Sequence, residues 1–346
     1  METNEHKIGN VQILSKDKYA KYDMDNASTE LEGYRGKNYI RLSTELLTEL
    51  VDELRNNPES SYITHCNDLI KYNDYIPANM SAIIKRCGLN RALCEVASSR
   101  VMNYFGAPTT YEKVFKLPAN PNATTSISNY VVASVDCQSF DHEVWTLEDI
   151  GIELTMDLER DIPMIERAVE KLFFKKKYSL NFNRVVTRKD FDAIKSKIVR
   201  DYVYSFLIRK FILRDRDTHS GNSAIIIEPK SMSIQSYINF DYEDTLGNKY
   251  EPDRYAYDQM KYALLMYPDV FKKFKTKVDE LISINYDAQK LNLVNMLEKG
   301  LPTADKEISH KIAEALYDSS MLTSRVARNV IRQVFLSSAN YEKFVR

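Results

Sequence analysis

The sequence predicts an α+β chain of two lobes, a small mixed β/α N-lobe followed by a larger, mainly helical C-lobe. Three patterns carry that expectation. Between residues 81 and 135, short apolar runs of strand character flank one helical stretch. Residues 162–176 and 188–213 are long and amphipathic. From 253 onward the chain reads as helices interrupted at Pro268, at Gly300-Leu301-Pro302 and around Ser319.

With 346 residues, 44% of them hydrophobic and 28% charged, the chain can bury one large core or two modest ones. Its 48 Lys+Arg and 49 Asp+Glu leave a formal net charge of -1. That balance removes the electrostatic case for tight, nonspecific nucleic-acid binding. No apolar run approaches the ~20 residues that a membrane helix needs, and the polar start METNEHKIGN does not read as a signal peptide. Cys66, Cys87, Cys94 and Cys137 form no C-x-x-C pair, so neither structural zinc nor a disulfide framework is expected. The expected setting is the cytoplasm, without membrane or direct nucleic-acid contact.

Residues 1–60 read as a helical N-terminal extension. Ser43 can cap a helix reaching about Asn56, with Leu46, Leu47, Leu50, Val51 and Leu54 on one stripe. The N-lobe is placed at 61–146. Ala82-Ile83-Ile84-Lys85 is strand-like, and 90–105 is a helix with Leu93, Ala97, Val101 and Tyr104 on one face. Gly106-Ala107-Pro108 stops it. Two more strands, 111–117 and 130–135, flank the turn-rich 118–122. In the C-lobe, placed at 147–346, Thr187 and Asp190 make a capping pair before the second long helix. Tyr and Phe residues within 202–211 recur at helical spacing and are expected in the core.

The segment richest in chemistry is 214–222, Arg-Asp-Arg-Asp-Thr-His-Ser-Gly-Asn. Strands 223–227 and 234–240 follow it, joined by the turn Pro229-Lys230-Ser231. Paired as an antiparallel hairpin, they would set Asn222 opposite Asp241. One amide oxygen and one carboxylate there would suit Mg²⁺, which takes a few hard oxygens and keeps several waters. Asp217, five residues before Asn222, is placed to orient a substrate hydroxyl and accept its proton. The plainer reading is a polar loop, because Asp, His, Gly and Asn all favour turns. An EF-hand is excluded, since counting from Asp215 the sixth place is Ser220 and the twelfth Ile226.

Asp217-Thr218-His219-Ser220-Gly221-Asn222 resembles the D-x-H-x-x-N catalytic loop of the HipA-like serine/threonine kinases, which phosphatidylinositol kinases share. Ile238-Asn239-Phe240-Asp241-Tyr242 resembles that family's metal-binding segment. The likeness is to the compact CtkA-type members and spans roughly residues 80–285. It implies a bilobed protein kinase-like fold, Mg-ATP as cofactor, and Asp217, Asn222 and Asp241 as working residues. It also matches Lys85 to a phosphate-contacting lysine, with Glu95, ten residues on, as its ion-pair partner. The plainer alternative for these two is a surface lysine and a solvated helix glutamate. Adenine would meet backbone near 135–137.

The departure from the family is the phosphate-binding loop: no Gly occurs between Gly36 and Gly88, the span just before Lys85. Gly33-Tyr34-Arg35-Gly36-Lys37 reads as an ordinary turn, and Asn79 and Ser81 are substitute donors. His219 is expected to position loop backbone, and no metal-ligand spacing joins the other histidines. The function expected is Mg-ATP-dependent phosphorylation of Ser or Thr on a protein substrate, with autophosphorylation. The rivals are a pseudokinase scaffold, a lipid or small-molecule acceptor, and AMP transfer. The resemblance also implies a separate small regulatory partner.

Overall fold

The computed structural model describes residues 19–21, 30–31, 37–42, 81–87, 89–110, 112–116, 130–135, 143–174, 188–228, 233–242, 245–246, 254–283 and 306–335. The chain is α+β. It divides into two units, one built on 1–142, 241–244 and 292–312, the other on 143–240, 245–291 and 313–346.

In the first unit six strands make one antiparallel sheet. They are β1 (Tyr19–Lys21), β2 (Glu30–Leu31), β3 (Lys37–Leu42), β4 (Ser81–Cys87), β5 (Glu112–Lys116) and β6 (Tyr130–Val135). The order is β1-β3-β4-β6-β5, with β2 also on β3. Lys85 lies on a central strand, opposite Lys37 on one side and Val132 on the other.

The strands before residue 60 correct the expectation of a helical extension. A six-residue run containing Lys37 and Arg41 carries little local signal, and its pairing with β4 makes it a strand. The helix expected from Ser43 to about Asn56 lies outside the described residues.

Helix α1 (Leu89–Phe105) packs on β5 and β6. Ala92, Leu93, Val96, Ala97, Val101 and Phe105 recur at three- and four-residue spacing and are buried against Val114 and Val132. Gly106, at φ +67, ends the helix: its amide bonds Asn103 O at 2.8 Å and the Ala107 amide bonds Met102 O at 2.9 Å. That left-handed turn favours glycine, because a Cβ is penalised there.

The second unit holds a three-stranded antiparallel sheet, β7 (Glu143–Thr146), β8 (Ser223–Glu228) and β9 (Ser233–Asn239), in that order. Its helices are α2 (Leu158–Phe174), α3 (Arg188–Leu207), α4 (Arg254–Met266), α5 (Pro268–Ser283) and α6 (Lys306–Phe335), the last joining this unit from residue 313. Apolar side chains fill its core, among them Ile165, Val169, Tyr202, Phe206, Phe271, Phe274 and Val330.

Trp145 lies in β7, a strand recognisable only by its pairing with Ile225 of β8. Two expectations needed correction here. Helix α2 starts at Leu158, before Pro163, because the Asp157 carboxylate accepts the Glu159 amide at 3.0 Å. The interruption around Ser319 is absent. Ser319 and Ser320 donate to the carbonyls of Ala315 and Leu316 at 2.7 and 2.8 Å, which satisfies both hydroxyls inside a continuous helix.

Candidate active site

In the first unit Lys85 and Glu95 are both nearly inaccessible, at 4% and 3% exposure. The Lys85 ammonium lies 3.4 Å from Glu95 Oε1 and 3.2 Å from Oε2. It also bonds the carboxylate of Asp241. One ammonium from a central strand therefore meets a carboxylate from α1 and another 156 residues further along. A buried cation is tolerable only with such partners. The surface-lysine and solvated-glutamate alternative is thereby removed.

Asp241 sits at φ +62, a left-handed conformation that Asp adopts more readily than most residues. The next residue, Tyr242, is fully buried, and its hydroxyl lies 2.7 Å from Thr109 Oγ1.

Sequence reasoning missed a third carboxyl of this unit. Glu112, on β5, is 1% exposed and accepts the Thr110 hydroxyl at 2.8 Å, while Oε2 has no hydrogen-bond partner. Burial pushes the Glu112 carboxyl well above the usual carboxylate range, and the neighbouring Glu95 pushes the same way. The Thr110 bond and the charge of Lys85 oppose them. No signal in the local pattern marks Glu112, because its environment is assembled from α1, β4 and Asp241. Burial likewise pushes the Cys94 thiol up to about 11, which keeps it protonated and unreactive.

In the second unit the loop 214–222 begins where α3 widens into a π-helical turn, Ile208–Leu213. Arg214 closes that turn at φ 55, its amide bonded to Arg209 O. The Asp215 amide bonds the same carbonyl at 2.9 Å. Asp217 is half-exposed, with its amide on Asp215 Oδ1 at 3.0 Å. Its carbonyl accepts Asn222 Nδ2 at 2.7 Å, which turns the amide oxygen of Asn222 the other way. Asp217 and Asn222 are thus brought together.

His219 accepts the Gly221 amide on Nδ1 at 3.0 Å, so the neutral ring carries its proton on Nε2. That nitrogen lies 3.7 Å from Asp217 Oδ1. Ser220, 7% exposed, accepts the Leu154 amide at 2.7 Å. The loop is fastened at both ends.

Arg209, Asp215 and Asn239 had no assigned part in the sequence reading. Arg209 is 2% exposed; its Nε lies 2.6 Å and its Nη2 2.5 Å from Asp215 Oδ2. Its Nη1 donates to Asn239 Oδ1 at 3.2 Å, and the Tyr237 hydroxyl lies 2.8 Å from the same oxygen. Burial pushes the Asp215 carboxyl up, and the Arg209 charge opposes that push.

The hairpin differs from expectation by one residue. Ser223 pairs with Asn239, and a bulge between Ile226 and Ile227 adjusts the register toward the turn. Asn222 therefore faces Phe240 rather than Asp241. The turn at 229–231, Asn79, the Gly33–Gly36 pair and residues 136–137 lie outside the described residues. Among the described residues no group of three or more His, Cys, Asp or Glu is arranged to hold a metal ion, and no helix is long and apolar enough to cross a membrane.

No family model matches the chain, and no curated protein does. Among solved structures the chain is similar to the Helicobacter pylori proinflammatory kinase CtkA, with 14% identity and a TM-score of 0.41. The match covers 74% of this chain and 93% of that one.

Proposed function

We propose that the chain is a HipA-like protein kinase in fold and chemistry. It transfers the γ-phosphoryl group of Mg-ATP to Ser or Thr hydroxyls of a protein substrate, and to its own. The observation that carries this reading is the buried ammonium of Lys85 shared between Glu95 and Asp241. Desolvating three charges is costly. A phosphate-handling site offers a reason for keeping them, since a fixed ammonium can contact phosphate oxygens while a carboxylate braces it.

In this reading Lys85 contacts phosphate and Glu95 holds it in place. Asp217 orients the acceptor hydroxyl and takes its proton. Asn222 and Asp241 are the Mg²⁺ donors, and two observations fit them to that ion. The Nδ2 end of Asn222 is spent on Asp217 O, leaving its oxygen end for a cation. Asp241 offers a carboxylate, the other hard oxygen type that Mg²⁺ accepts. When bound, Mg²⁺ neutralises phosphate charge. A cytoplasmic setting and a separate regulatory chain belong to the same proposal.

Intact-mass spectra of the protein after incubation with Mg-ATP, with Asp217→Asn alongside, test it. A gain of phosphoryl mass in wild type alone is the expected result. A gain of adenylyl mass would replace the chemistry. The absence of glycine between Gly36 and Gly88 favours a second reading, a pseudokinase with a scaffolding role. No mass gain, a melting temperature raised by Mg-ATP and a cellular function untouched by Asp217→Ala would select it.

A further inference from the structure

The buried guanidinium of Arg209 has no place in the chemistry above, yet its contacts converge on the residues that do. An arginine offers five N–H donors in a fixed planar fork. Here Nε and Nη2 grip Asp215, while Nη1 reaches Asn239 Oδ1 at 3.2 Å. Nη1 also lies 3.4 Å from the carbonyl of Asn222, and Nη2 lies 3.5 Å from the carbonyl of Asp217. The free oxygen of Asp215 then accepts the Asp217 amide at 3.0 Å.

Both sides of Asp217 are therefore tied to one ion pair: its amide through Asp215, its carbonyl directly and through Asn222 Nδ2. The π-helical turn makes this reach feasible, because Arg209 O receives the amides of both Arg214 and Asp215. The loop folds back over an arginine of the turn from which it departs. Asn239 adds a brace from β9, so strand, loop and helix end share one cation.

We propose that Arg209, acting through Asp215 and Asn239, is the positioning residue of the 214–222 loop, fixing Asp217 and Asn222 without touching a reactant. This rests on the phosphotransferase reading. Holding reacting groups in place is worth much: a displacement of about 1 Å costs on the order of 100-fold in rate. Lysine at 209 keeps the positive charge beside Asp215 but cannot fork to two carbonyls and an amide oxygen.

The test compares wild type with Arg209→Lys and with the apolar pair Arg209→Met/Asp215→Leu, which folds without a buried charge should the lysine variant fail. Steady-state phosphoryl transfer and hydrogen exchange of the loop amides are both measured. Expected in either variant is a kcat lower by about 100-fold, because Asp217 and Asn222 lose their fixed placement while Lys85, Glu95 and Asp241 are unchanged. The amides of Asp217 and Asn222 should lose protection while α3 and α5 keep theirs. A lower melting temperature with unchanged kcat and unchanged loop protection would reduce Arg209 to an ordinary core contact and overturn the proposal. Lost loop protection in a protein whose wild type transfers no phosphoryl group would keep the positioning role and sink the kinase reading instead.

Discussion

The Phe240 amide donates to the carbonyl of Asn222 at 3.1 Å. This bond ends the β8–β9 ladder with Asn222 facing Phe240, so Asp241 falls one residue beyond the paired strands. Outside the ladder, Asp241 takes its left-handed conformation and places its carboxylate on Lys85. A residue still inside the ladder would be held near extended backbone angles.

Asp217→Asn should separate activity from stability. Asp217 is half-exposed, and its backbone rather than its carboxylate makes the loop's hydrogen bonds. The melting curve should match wild type to within about 0.5 kcal/mol. Phosphoryl transfer should fall by about 10²–10⁴-fold, the scale of a lost general base. A variant that keeps full activity would remove Asp217 from the chemistry.

Lys85→Met should be severely destabilising, by about 3–5 kcal/mol, because it strands the buried Glu95 and the largely covered Asp241 as uncompensated carboxylates. Asp241→Asn keeps an acceptor for Lys85 and should fold, yet lose Mg²⁺-dependent activity. Chemical denaturation of both proteins checks the contrast. Equal stability losses would mean that Lys85 is not the centre of the cluster.

Glu112 sets a pH dependence. Its carboxyl is raised in the folded chain, so the native state binds its proton more tightly than the unfolded state does. The stability linked to that proton is fully present below the unfolded value of about 4.3 and is lost as pH rises through the raised native value. Glu112→Gln copies the protonated acid and still accepts the Thr110 hydroxyl. The stability of the variant relative to wild type should therefore grow as pH rises from about 4.3 toward neutrality. A difference that stays flat across that range would show Glu112 to be unperturbed.

Gly221→Ala tests how tightly the loop is packed. A Cβ there would stand 2.7 Å from Glu148 Oε2, 2.8 Å from His219 Cε1 and 3.0 Å from His219 Nδ1. Glu148 can swing away, but His219 is held by the Gly221 amide itself. The variant should lose about 1–3 kcal/mol of stability, the usual cost of overpacking. It should also lose activity, as the His219 ring moves away from Asp217. A variant with wild-type melting and rate would show that the ring has room to yield.

The elements legible in the sequence were those set by local spacing. The helix beginning near Asn90 and the strand at Tyr130–Val135 follow from short periodic patterns, and both are present. The Lys85–Glu95 pair was expected from the family resemblance alone, and the two side chains do meet. Features decided by distant pairing were not. β3 is defined by β4, and the exact face-off of Asn222 depends on a bulge that no turn signal announces. Arg209 read simply as one basic residue in an amphipathic helix. Its burial depends on Asp215 and Asn239 converging on it, and the widening of the last helical turn that permits this has no periodic signature.

Thr323, far along α6, donates its hydroxyl to the carbonyl of Phe211 at 3.1 Å across 112 residues of sequence. Phe211 belongs to the π-helical turn from which the 214–222 loop departs. During synthesis, the loop and the β8–β9 hairpin that follows it therefore leave the ribosome well before the donor that completes this turn. A nascent chain arrested ahead of Thr323 would hold every proposed catalytic side chain and still lack one of the bonds that shape their support. Completion of that turn is thus coupled to the docking of α6, the helix that carries Thr323.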